Sequence, residues 1–150
     1  MNRRGRNTVL LWIIALGLFN FVAYTAAYWY LGGDAPNGSF RDGNYFLRGH
    51  FIWSPSGKPT EPVSRAVWLY SYLHSISIWP TSAAVLVSMF ILSQPHIIAT
   101  MNADTPQRGF TYVVICITAI VMVTGVATLA FVLNFLDALA LIANGRPVNI

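Results

Sequence analysis

The segment Phe110–Leu136, FTYVVICITAIVMVTGVATLAFVLNFL, contains no Asp, Glu, Lys, Arg or His. As a helix rising about 1.5 Å per residue it is roughly 40 Å long, enough to cross a hydrocarbon layer of about 30 Å. Inside such a layer every backbone N–H and C=O must be satisfied within the segment, which a helix achieves. Two further stretches have the same character. Val9–Leu31 is uncharged throughout, and Ala66–Gln94 has His74 as its only ionisable side chain of these types. The whole chain of 150 residues is 55% hydrophobic and only 9% charged, with a mean hydropathy of +0.55. Soluble domains carry about 25% charged residues. The predicted fold class is therefore an all-α integral membrane protein, a single membrane domain with transmembrane helices over about 9–31, 66–94 and 110–136.

Outside the helices the sequence predicts an extracytoplasmic loop over 32–65 and a short cytoplasmic link over 95–109. Arg3, Arg4 and Arg6 precede the first helix, and by the positive-inside tendency they favour a cytoplasmic N-terminus and an extracytoplasmic C-terminus. The apolar run after them is longer than a secretory h-region of about 7–15 residues, so an uncleaved signal anchor is expected. Trp12, then Tyr24, Tyr28, Trp29 and Tyr30, then Trp68, Tyr70 and Tyr72 read as aromatic belts at headgroup depth. Leu139, Leu141 and Ile142 extend the third helix, with Asn144–Gly145 and Pro147 as its stop.

The loop opens with YLGGDAPNG. Asp42–Gly43 accommodates the positive φ angles of a type I′ turn, so Ser39–Arg41 and Asn44–Leu47 are expected to form a hairpin. A third extended run over His50–Trp53 and a turn at Ser54–Pro59 follow, and Ser64 reads as the N-cap of the second helix. Phe40, Tyr45, Phe46, Phe51 and Trp53 then either pack the cap onto helix ends or present a docking surface to a partner protein. The glycines do not make a phosphate loop, because no G-K-[ST] follows them. Nor do Asp34, Asn37 and Asp42 supply a calcium loop with its closing Glu. The five acidic residues, Asp34, Asp42, Glu61, Asp104 and Asp137, all fall in loops or at helix ends, where solvation is expected.

Polar residues inside apolar helices carry the functional candidates. Ser71, His74, Ser75, Thr81 and Ser82 share one face of the second helix, Asn20 lies on the first, and Thr118 and Gly125 lie on the third. They make either a packing core, since small and hydroxylated residues let helices approach and bond, or a polar path completed by oligomerisation. His50, His74, His96 and Cys116 have no zinc-ligand spacing, and His74 lacks a partner histidine at matching depth for haem. No hydrolase, metalloprotease or dithiol motif occurs. The net charge of +4 is scattered, unlike a nucleic-acid-binding face. No catalytic, metal or cofactor site is expected.

Across YLGGDAPNG, RDGNYFL and EPVSRAVWLYSYLHSIS, covering about residues 28–77, the chain resembles a group of small uncharacterised bacterial inner-membrane proteins. They share a Gly-Gly-Asp turn after the first helix, a glycine-rich hairpin and a Val-Ser entry to the second helix. Pro55, Pro59 and Pro62 depart from that pattern and lengthen the loop. The resemblance implies a bacterial inner membrane and supplies no activity. The expected role is a non-enzymatic accessory, assembly or interaction subunit that works in the lipid bilayer beside other membrane-protein subunits. A homo-oligomeric transporter or channel protomer is the alternative.

Overall fold

The structure, a computed structural model, describes residues 2–49, 61–104 and 108–149. Its elements are α1 (Arg3–Leu31), β1 (Asp34–Arg41), β2 (Asn44–Arg48), α2 (Arg65–Asp104), α3 (Gly109–Ala143) and β3 (Val148–Asn149). All three helices are long and apolar enough to cross a membrane. The fold class is thus three apolar helices with a small β cap inserted between the first two.

Helix starts follow local chemistry. Asn2 Oδ1 accepts the Gly5 N–H at 2.8 Å, and Ser64 Oγ accepts the Val67 N–H at 3.3 Å. Both side chains occupy N-cap positions and satisfy donors left open by the first turn. At the other end of α3, Arg146 N–H bonds Leu141 C=O at 2.9 Å and Gly145 N–H bonds Ile142 C=O at 3.0 Å, the closure expected at Asn144–Gly145.

The chain folds as two compact units. One comprises Met1–Asn20 and Trp79–Ala127. Here α1 meets α2 where Gly17 is buried, and a Cβ at that position would overlap Val85 Cγ2. Three residues on, Asn20 Nδ2 donates to Thr81 Oγ1 at 3.0 Å. The sequence places the end of the second helix near Gln94, but α2 continues through Pro95 to Asp104. The expected link over 95–109 is therefore mostly helix. Pro80 and Pro95 both lie inside α2, although a proline costs a helix interior about 3 kcal/mol. A Cβ on Gly109 would stand 2.7 Å from Ile98 Cα, so the start of α3 lies directly against the extended part of α2.

The second unit comprises Phe21–Ile78 and Thr128–Ile150. Its sheet has the order β2-β1-β3. The hairpin turns where expected: Asp42 has φ 50° and Gly43 has φ 77°, with Arg41 opposite Asn44 and Phe40 opposite Tyr45. The register shifts between Asp34 and Ser39, where Pro36 has no N–H to offer the ladder and a bulge relieves the mismatch. Both edges of the hairpin are covered. Val63 N–H bonds Tyr45 C=O at 2.8 Å, and β3 pairs antiparallel with β1. The strand role of Val148–Asn149 has no signal in the sequence beyond the preceding helix stop. The third extended run and the turn expected over 50–59, like Phe51 and Trp53, lie outside the described residues.

The hydrophobic core belongs to this unit. Ala35, Leu47, Trp68, Tyr72, Ala138 and Val148 form it, with Phe40, Tyr45 and Phe135 packed against it. Trp68 and Tyr72, expected in a headgroup belt, are 0% and 1% exposed. The reason is the sheet, which lies over the start of α2. Tyr70, two residues from each and so on the opposite side of the helix, is exposed.

Candidate functional site

Where the chain leaves α1 it reverses at Gly32–Gly33. Gly33 has φ 147°, and a Cβ there would overlap the Arg48 carbonyl and the Gly49 nitrogen. Only glycine meets both conditions. This close approach carries the next residue, Asp34, inward between α1 and α2. Asp34 is 6% exposed, which corrects the expectation of a solvated loop carboxylate.

The Asp34 carboxyl is held from two sides by neutral donors. Tyr24 Oη donates to Oδ2 at 2.9 Å, and Asn37 Nδ2 donates to Oδ1 at 2.6 Å. Around this pair the expected polar face of α2 is brought in. Ser71 Oγ accepts the Ala35 N–H at 3.0 Å, tying the first strand to the helix. Ser75 Oγ donates to the Ser71 carbonyl at 2.9 Å, with Tyr24 Oη farther off at 3.5 Å. The His74 ring stands edge-on to Tyr24, centroids 5.4 Å apart, and its Nδ1 lies 3.0 Å from Tyr70 Oη. Tyr24, Tyr28, Asp34, Tyr70, Ser71 and His74 line a cavity of about 10 Å³, room for a group the size of one water.

Of the sequence candidates, Ser71, His74 and Ser75 thus gather at one site, while Asn20 and Thr81 meet in the other unit. Ser82 is half-buried. Thr118 and Gly125 are exposed, with nothing within 4 Å of a Cβ built on Gly125. Phe40 and Tyr45 do not form an outward aromatic surface. Their rings pack at 4.9 Å, and Tyr45 reaches Trp68 at 5.7 Å, because β1 and β2 turn them toward the core. Phe46 is half-buried. Asp34 and Asn37 were missed as site residues. Their available signal was an Asx residue following Gly-Gly and leading into the apolar pair Ala35–Pro36. Among the described residues no three His, Cys, Asp or Glu side chains gather as metal ligands.

In unit one the tight contact outweighs the polar one. A hydrogen bond between apolar helices contributes about 0.6 kcal/mol and at most about 1.7, so Asn20→Leu is expected to change stability by no more than about 1.7 kcal/mol. Overpacking costs roughly 1–3 kcal/mol, and Gly17→Val places its branch against Val85. Thermal unfolding in detergent checks the order: Gly17→Val should be the more damaging.

Compared with known proteins, the chain matches no family model, no curated protein and no solved structure. The class it defines is the one its own geometry gives, three apolar helices long enough to span a membrane with a β cap closed by the segment after the third helix.

Proposed function

We propose that this chain is a three-span integral membrane protein of the bacterial inner membrane, acting as a non-enzymatic accessory or assembly subunit through its α3 face. The observation carrying this reading is the outward stripe Thr111, Thr118 and Gly125, each exposed. Residues seven apart share a helix face, and small residues let a second helix approach closely within a membrane. A cytoplasmic N-terminus and an extracytoplasmic cap complete the topology. Pairing of β3 with β1 supports the three crossings, which require the loop after α1 and the tail after α3 to share one side, and Arg3, Arg4 and Arg6 before α1 favour the cytoplasmic side for the N-terminus.

The test is cross-linking through a photoreactive side chain at position 118 in native membranes. Adducts with an unrelated membrane subunit, lost on Gly125→Leu while the chain stays folded, are expected. Adducts solely with a second copy would move the assignment to a homo-oligomer. That transporter or channel reading comes second here, since Ser71, Ser75 and Thr81 spend their polar groups on bonds within the chain.

A further inference from the structure

We propose that the cavity beside Asp34 binds the primary ammonium group of a lipid headgroup. Three observations carry this. First, the Asp34 carboxyl is 6% exposed, and among the described residues its oxygens are bonded by a phenol and a carboxamide, neither of which brings a compensating charge. Arg48, opposite it across β1 and β2, is exposed. Burying a carboxylate is costly unless a cation joins it. Second, Tyr24, Tyr28, Tyr70 and His74 line the cavity beside Ala27, Leu31, Gly33 and Ser71; tyrosine ring faces attract cations when within about 6 Å of them. Third, the cavity, at about 10 Å³, admits a group of water size. An –NH₃⁺ group meets that limit and offers three donors, whereas a trimethylammonium group exceeds it.

Position selects the source. Tyr24 and Tyr28 lie in the last turns of α1, and Tyr70 and His74 lie near the start of α2. Trp29 and Tyr30 beside them are 72% and 91% exposed, the placement of interfacial anchors. The ammonium that reaches such a depth in quantity is that of an ethanolamine-type headgroup. This step rests on the membrane placement proposed above.

The full chain, purified in mild detergent, is titrated by native mass spectrometry with phosphatidylethanolamine and with phosphatidylcholine of identical acyl chains. At least tenfold preference for the ethanolamine lipid is expected, falling to parity in Asp34→Asn, which keeps the side chain's shape. His74→Leu, at a half-buried position, provides a second reading should Asp34→Asn fail to fold, and is expected to reduce the preference several-fold. Equal binding of the two lipids, or an unchanged preference in both variants, overturns the proposal. So does stabilisation by free ethanolamine without lipid preference, which would give the site to a soluble amine. Extraction of the chain from membranes by alkaline carbonate would instead defeat the membrane placement, so the two failures are distinguishable.

Discussion

Gly33→Val is expected to destroy the folded cap, whereas Gly32→Ala one residue earlier should be tolerated. Both glycines have positive φ, 75° at Gly32 and 147° at Gly33, but their surroundings differ. Nothing lies within 4 Å of a Cβ at Gly32, while a Cβ at Gly33 would overlap the Arg48 carbonyl and the Gly49 nitrogen. A left-handed residue with a side chain costs roughly 1–2 kcal/mol, and Gly32→Ala should cost no more than that. At Gly33 the backbone strain of about 1–3 kcal/mol is joined by a clash with main chain that no rotamer change relieves. The two together, above about 4 kcal/mol, rival the roughly 5–15 kcal/mol stability of a typical domain. Limited proteolysis within 32–65 and thermal unfolding give the readout. Equal protection of the two variants would show that the close approach of residues 33 and 48 is unimportant.

Trp68→Ala is expected to lower stability by about 3–5 kcal/mol, the range for removing a fully buried aromatic. The ring is 0% exposed and lies 5.1 Å from Tyr72, 5.7 Å from Tyr45 and 6.4 Å from Phe135. It therefore joins the hairpin, α2 and the end of α3 within one core. Trp68→Phe should cost less than half as much. It loses some volume, but it also removes a buried Nε1–H that has no acceptor among the described residues, and an unsatisfied buried donor costs about 1–3 kcal/mol. Chemical denaturation of both variants decides this. A phenylalanine variant as unstable as the alanine one would mean that the indole shape matters more than its orphan donor.

Much of this architecture was legible because it depends on nearest neighbours along the chain. Asp42–Gly43 signals its own turn, since two consecutive positive φ values suit few residue pairs. Ser64 signals its own cap, and Asn144–Gly145 its own stop. The candidate site was legible by half. Ser71 and Ser75 stood out as hydroxyls on one face of an apolar helix. Asp34 did not, because an acidic residue four places ahead of a glycine looks like any solvated loop residue until the chain folds back.

Aromatic positions show the same division. Trp68, Tyr70 and Tyr72 share an amphipathic aromatic character and a neighbourhood, and sequence assigns all of them to the interface. Helix phase sends Trp68 and Tyr72 beneath the sheet and leaves Tyr70 outside. Residue type cannot separate them, since an amphipathic ring suits either a membrane surface or a core beneath a cap.

Sequence by itself determined the three apolar helices and the hairpin, because length without charge and paired positive-φ residues are local properties. Tertiary structure alone decided that Pro95 would not end α2, that Val148 and Asn149 would become the third strand, and that Asp34 would be buried. Each of these depends on what another part of the chain brings into contact: Gly109 against Ile98, the open edge of β1, and the backbone of Arg48 against Gly33.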